Sequence, residues 1–202
     1  MNFFTSKTRT LGSRIIGLIL IIILSTTASK WHNSSLLVEH LLWFTGWFLV
    51  GLGVMGRIWC SLYISGFKDS KLVTYGPYSI CRNPLYVFSY LGALGVMFLT
   101  ETLFLPIAFT IIFIIYYHFV INQEEKFLTR AFPEQYAKYC ETTPRFWPSF
   151  RNYYEPERYE VSPKHCRKFL AQVIWFVWLA ACVQLFEELR MTGVLPVWLT
   201  SF

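Results

Sequence analysis

The chain has 202 residues, of which 54% are hydrophobic, 19% aromatic and only 15% charged, and its formal net charge is +6. A water-soluble domain of this length needs more polar surface than that to cover its core, which excludes the soluble globular class. Five apolar runs read as membrane-spanning helices: Leu11 to Ala28, Leu36 to Met55, Leu85 to Leu99, Leu103 to Ile121 and Phe169 to Phe186. A span takes about 20 apolar residues, which the second, fourth and fifth runs supply and the first and third reach with flanking residues.

The first run follows Lys7, Arg9 and Arg14 and ends in Ser, Thr and Ala, a pattern shared with cleavable leaders. It is taken as an uncut anchor, because five spans agree with the charges. Residues 1–14, 56–84 and 122–168 then share one side and hold three, four and nine Lys and Arg, 16 of the 18 in the chain, while Lys30 and Arg190 face the other. The positive-inside rule makes the amino terminus and both long loops cytoplasmic, in a bacterial inner membrane or an endoplasmic reticulum. Topology thus accounts for most of the positive charge, with attraction to anionic headgroups added, and no nucleic-acid partner is called for. A cysteine placed at position 68 or 155 should resist an impermeant maleimide on intact cells until the membrane is opened. Labelling from outside at either position would reverse the topology.

No repeat or low-complexity segment divides the chain, so residues 1–202 read as a single membrane domain. The short connection Thr100 to Thr102 forces the third and fourth spans into an antiparallel hairpin. The two long polar loops, between spans two and three and between four and five, fall on the same face. Backbone that is neither helix nor sheet is tolerated near a membrane only where protein or water satisfies its polar groups, so the loops are expected to serve each other.

The first loop carries Gly76-Pro77, a turn, and Asn83-Pro84, a helix cap followed by proline at the first helical position. The third span therefore begins at the loop with its positive dipole end, which favours an anion. The second loop opens on Glu124 and Glu125, and the hairpin brings them to the face that holds Asn83 and Tyr86. Lys126 and Arg130 stand near enough to neutralise the pair in solvent. Phe127, Leu128, Ala131 and Phe132 recur at helical spacing before Pro133, which reads as an interfacial helix on the headgroups. Tyr136, Tyr139, Phe146 and Trp147 form either an aromatic belt or part of a lid. Five cysteines, odd in number and without CxxC or Cys/His ligand spacing, read as reduced structural thiols, and no metal site is expected.

In order along the chain stand Leu72-Val73, Gly76-Pro77-Tyr78, Arg82-Asn83-Pro84-Leu85-Tyr86, Glu124-Glu125, Tyr136 with Tyr139, and Pro144-Arg145-Phe146-Trp147-Pro148. This pattern resembles the membrane-embedded methyltransferases typified by isoprenylcysteine carboxyl methyltransferase, relatives of the phospholipid N-methyltransferases. The match spans residues 57–148, the expected catalytic core. The resemblance implies an all-α integral membrane protein of about five transmembrane helices with cytoplasmic cofactor-binding loops and an interfacial helix. It also implies an S-adenosylmethionine site in which Ser70, Lys71, Leu72, Val73, Tyr78, Asn83, Pro84, Leu85, Tyr86, Glu124 and Glu125 hold the cofactor. A helix N-terminus suits the cofactor's carboxylate, acidic side chains its ammonium or ribose diol, and tyrosines its adenine and sulfonium.

Two positions depart from the family pattern. Asn83 stands where the family has histidine, and Val120 stands where relatives that methylate prenylcysteine have a substrate-binding arginine, a role open to Arg145 or Arg57. Arg145 and Tyr86 are the residues expected to act on the acceptor. That acceptor is a lipophilic or lipidated molecule from the bilayer, either an isoprenylcysteine-like carboxylate that is O-methylated or a lipid amine that is N-methylated. A nicotinamide-dependent sterol or steroid reductase and a non-enzymatic membrane scaffold remain as alternatives, the former calling for more clustered Arg and Lys than Lys71 and Arg82.

Overall fold

The computed structural model describes residues 27–29, 35–66, 71–195 and 199–201, with side chains in the second and third of these segments. The helices are α1 (Leu36–Ile64), the one-turn α2 (Pro77–Ile80), α3 (Pro84–Phe98), α4 (Phe104–Ala131), α5 (Pro133–Thr142) and α6 (Pro163–Met191), with a 3₁₀ turn at Phe150–Asn152. Two three-residue strands, β1 (Thr27–Ser29) and β2 (Leu199–Ser201), pair in parallel with Thr27 opposite Leu199. The protein is an all-α membrane protein in which this pairing is the one departure from helix among the described elements.

Helices α1, α4 and α6 are each long and apolar enough to cross a membrane, and α3 is a shorter apolar helix of 15 residues. Four of the five expected spans are therefore helices. The first, Leu11 to Ala28, lies outside the described residues except for Thr27 and Ala28 in β1. At 1.5 Å per residue α3 extends about 22 Å, less than a hydrocarbon core of about 30 Å. It is accommodated because it packs along α1, the most extensive helix pairing in the molecule.

That pairing rests on glycine. A Cβ built on Gly53 would lie 2.4 Å from the backbone of Gly92, and one on Gly95 would lie 2.6 Å from the carbonyl oxygen of Gly46. The two backbones touch directly, as expected where lipid offers no hydrophobic drive and association depends on close packing. Around the seam Val50, Val96, Leu99, Leu105, Ala180 and Val183 form a buried apolar cluster. Large apolar side chains such as Ile111, Ile115 and Phe119 of α4 and Ile174 and Trp178 of α6 are exposed, as they must be on a surface that meets acyl chains.

The helices overrun the apolar runs. Helix α1 continues past Met55 to Ile64, and α4 continues past Ile121 to Ala131, because hydropathy marks the membrane and not the helix end. Helix α4 stops where Pro133 imposes a non-helical Phe132 (φ −137°, ψ 61°). Phe127 to Ala131 thus belong to the last turns of α4 rather than to a separate interfacial helix. Helix α5 begins at Pro133, and the residues it buries are Tyr136 and Tyr139. Antiparallel succession leaves the end of α1, the start of α3 and the end of α4 at one end of the molecule.

Candidate active site

The first polar loop is held by the second. Gly76 donates its N–H to the carbonyl of Tyr154 (2.8 Å), Ser149 to that of Ile80 (3.0 Å) and Arg82 to that of Pro144 (2.8 Å). The Tyr139 hydroxyl donates to the carbonyl of Tyr78 (2.6 Å), and the Tyr154 N–H to the Ser79 hydroxyl (3.2 Å). The two loops satisfy each other's backbone, as the sequence leads one to expect. Gly76 sits at φ +61°, and a Cβ there would strike the Tyr63 ring at 2.5 Å, so only glycine makes this turn.

Between the loops and the ends of α1, α3 and α4 lies a cleft lined by Lys71, Leu72, Val73, Tyr78, Asn83, Glu124 and Glu125, seven of the residues expected from sequence. Ile64, Arg82, Leu128, Tyr136 and Tyr139 complete it. Of these, Arg82, Tyr136 and Tyr139 belong to motifs legible in the sequence, while Ile64 and Leu128 become visible only once the helix ends are known. The concavity, open mouth included, is about 610 Å³, with about 70 Å³ of room for water in its narrow interior. That interior is well below the size of a small-molecule site, so its walls must part for a ligand of nucleoside size. Pro84, Leu85 and Tyr86 are not part of the lining; Leu85 packs on the buried cluster of Cys60, Tyr63, Val73 and Tyr78. Ser70 lies outside the described residues.

The two glutamates differ in their surroundings. Glu125 accepts from Arg145 at both oxygens, Nε to Oε1 at 3.0 Å and NH2 to Oε2 at 2.8 Å, and from the Asn83 amide at 3.3 Å. Arg145 also bonds the Asn122 side-chain oxygen and covers the Phe146 ring at 5.2 Å. The guanidinium is therefore engaged with protein groups, and it stands outside the cleft lining. Glu124 accepts a 2.5 Å hydrogen bond from the Tyr86 hydroxyl, and among the described residues no cation pairs with it. A carboxylate bonded by a phenol and in no described ion pair leaves room for a charge-assisted bond to a ligand.

Asn83 occupies the N-cap position of α3 but makes no side-chain cap bond. Its amide turns instead to Glu125 and to the Arg145 carbonyl (3.3 Å) and ties α3 to both parts of the second loop. Two cleft-lining groups lack partners among the described residues: the buried Tyr78 hydroxyl and the buried Arg82 Nε. Burial holds the Tyr78 phenol well above its usual range, so it is a neutral donor. Burial likewise raises Tyr136 and Tyr139, and it pushes the Cys81 thiol up to about 11. Cys81 is thus a protonated structural thiol.

A cleft with an anion at Glu124, a cation at Arg82, an unsatisfied phenol and aromatic walls suits a zwitterionic ligand with a flat ring system. The description "Phospholipid methyltransferase" belongs to the family model that matches residues 13–135. The chain is 40% identical over 167 residues to the cobalt-zinc-cadmium resistance protein CzcN of Cupriavidus metallidurans, covering 83% of this chain and 76% of that protein. It is 34% identical over 183 residues to the nickel-cobalt-cadmium resistance protein NccN of Alcaligenes xylosoxydans xylosoxydans, covering 91% and 84%. No solved structure matches. The family match covers more than half of the chain and takes in both the hairpin and the Glu124–Glu125 pair, so this chain belongs to the phospholipid methyltransferase family of membrane methyltransferases.

Proposed function

We propose that the chain is an S-adenosylmethionine-dependent methyltransferase that methylates a lipophilic acceptor arriving from the bilayer, on the cytoplasmic side. The observation that carries this reading is the cleft between the two polar loops, where Glu124, bonded by Tyr86 and in no described ion pair, shares a lining with Arg82 and Tyr78. Glu124 would hold the cofactor's ammonium, Arg82 and the start of α3 its carboxylate, and Tyr78, Tyr136 and Tyr139 its flat or cationic surfaces. S-adenosylmethionine supplies, when bound, a methyl group on a sulfonium.

The chain's own residues contribute alignment. Tyr86 fixes the Glu124 carboxylate, Asn83 and Arg145 fix Glu125, and the loop-to-loop hydrogen bonds hold the cleft walls together. Orientation of this kind supplies effective molarities on the order of 10⁵ M or more. A carboxylate acceptor needs no general base, whereas an amine must first lose a proton, so activity on an amine rises with pH. Calorimetry of purified protein with S-adenosylmethionine and with reduced nicotinamide dinucleotide phosphate tests the reading. Binding of the first alone supports it, binding of the second alone turns the site into a reductase, and binding of neither leaves a scaffold. The names of the two relatives attach this branch to metal resistance. We assign that link to the methylated product.

Arg145 enters the proposal as the brace of Glu125. Arg145→Ala should leave Glu125 with the Asn83 amide alone and weaken cofactor affinity about tenfold, the cost of one lost charge-assisted pair. Methyl transfer to farnesylcysteine analogues and to phosphatidylethanolamine should then fall together. A selective loss on the carboxylate substrate with cofactor affinity intact would return Arg145 to the acceptor.

A further inference from the structure

The interior of the cleft is too small for a nucleoside, so a wall has to move before one can enter. The ends of α1 and α3 are joined along the glycine seam, and the first polar loop is tied to the second through the N–H groups of Gly76, Arg82 and Ser149. The wall with the fewest ties is α5, which contributes Tyr136 and Tyr139. Among the described elements it packs against α4 and no other helix to a comparable extent, and seven of its ten residues are exposed. Both of its joints leave the helical conformation, Phe132 at φ −137° and ψ 61° and Thr143 at φ −123° and ψ 123°. A short helix that buries two side chains between such joints is drawn from the mobile end of a structure. Its ends are held, by continuity with α4 and by the bond from the Asn152 amide to the Thr142 carbonyl (3.1 Å), so the motion open to it is a roll about its own axis.

That roll would open a second cavity. Beside the cleft lies a chamber of about 370 Å³, walled mainly by hydroxyl and amide side chains such as Ser79, Gln135, Thr142 and Asn152, together with Lys138. Leu72 and Tyr139 line both spaces, so these two residues form the wall between them. The chamber is within the size range of small-molecule sites, whereas the charged groups, Glu124 and Arg82, lie in the cleft. Tyr139 is held in the wall by the bond from its hydroxyl to the Tyr78 carbonyl (2.6 Å). The next residue, Cys140, receives a bond from the Arg82 guanidinium, and these two contacts join α5 to the first loop.

We propose that α5 is a lid with Tyr139 as its latch. When the bond to the Tyr78 carbonyl breaks, α5 rolls, the Tyr139 ring turns out of the partition and the cleft and chamber become one site. The joined site takes a ligand with a charged end, at Glu124 and Arg82, and an uncharged hydrogen-bonding body, among the hydroxyls and amides of the chamber. Naming that ligand as S-adenosylmethionine rests on the methyltransferase reading; the lid itself rests on the two cavities and the bond between them. The latch belongs to the empty, closed form, so it opposes binding. Removing it raises the share of the open form and with it the apparent affinity.

The test compares the wild type with Tyr139→Phe, as full chains in nanodiscs, by calorimetry with S-adenosylmethionine and by the rate at which N-ethylmaleimide modifies Cys140. Mass spectrometry reads that rate against Cys166, a second half-buried thiol, which lies on α6 away from the lid. The substitution keeps the ring and removes the latch. It should tighten binding about fivefold, the fold-change of one neutral hydrogen bond, and speed the labelling of Cys140 by a similar factor with Cys166 unchanged. In the wild type, saturation with S-adenosylmethionine should also speed labelling of Cys140, because the loaded form is the open one. Binding that is equal or weaker in Tyr139→Phe overturns the lid, as does Cys140 labelling that the substitution leaves unchanged or that rises no more than at Cys166. Where Tyr139→Phe does not fold, the wild type decides: labelling of Cys140 that the bound cofactor leaves unchanged or slows overturns the lid. A wild type that binds no S-adenosylmethionine sinks the methyltransferase reading, and the labelling of Cys140 in Tyr139→Phe then decides the lid by itself.

Discussion

Gly53→Ala is expected to destabilise the helix bundle by about 2–3 kcal/mol or more, the upper range for overpacking in a well-packed interior. The added methyl carbon would lie 2.4 Å from both Cα and N of Gly92 and 2.8 Å from the Phe88 carbonyl oxygen. Backbone cannot swing aside as a side chain does, so α1 and α3 must separate along their shared seam. The cleft depends on that seam, because α1 delivers Ile64 and α3 delivers Asn83 to the same lining. Gly51→Ala is the control: its Cβ meets nothing within 4 Å, and a helical glycine replaced by alanine gains about 0.5–1 kcal/mol. Thermal unfolding in detergent should therefore move in opposite directions for two substitutions two residues apart. Similar midpoints for both would mean that α1 and α3 are not in backbone contact.

Glu124→Gln should weaken S-adenosylmethionine binding by about tenfold to a hundredfold, because a charge-assisted hydrogen bond contributes about 1.5–3 kcal/mol. The substitution keeps the size of the side chain and an oxygen to receive the Tyr86 hydroxyl, so the fold is expected to persist. Glu125→Gln should behave differently, since its partner Arg145 would be left without an anion and the second loop would loosen as well. The contrast to look for by calorimetry and thermal unfolding is lost affinity at unchanged stability for Glu124→Gln, against losses in both for Glu125→Gln. An unchanged dissociation constant for a folded Glu124→Gln protein would make the carboxylate a solvated surface charge.

Much of this architecture can be read from residue type and spacing alone. Runs such as Leu103 to Ile121 have nowhere to go but a bilayer, and a three-residue link between two such runs permits only a hairpin. The order of the motifs, from Leu72-Val73 through Arg82-Asn83-Pro84 to Glu124-Glu125, follows from the sequence, and so does their meeting on one face. Seven of the residues they nominate line the cleft. The helix ends were less legible, because hydropathy stops at the membrane while the backbone hydrogen-bond ladder continues until a residue such as Pro133 interrupts it.

The tertiary structure decided which polar groups are spent and which are left. Arg145 and Arg82 are both arginines in polar loops, yet one is neutralised by Glu125 and the other presents an unpartnered Nε within the cleft lining. Asn83 carries the sequence signature of a cap, but its amide serves Glu125 and the Arg145 carbonyl instead. Glu124 and Glu125 are neighbours in the chain and point to different partners because successive positions on a helix face different directions. The position of Arg57, between Ser89 on α3 and Phe176 on α6, likewise depends on contacts between segments far apart in sequence. Periodicity and composition describe one segment at a time, whereas pairing, burial and the residual charge of a site arise only when separate segments meet.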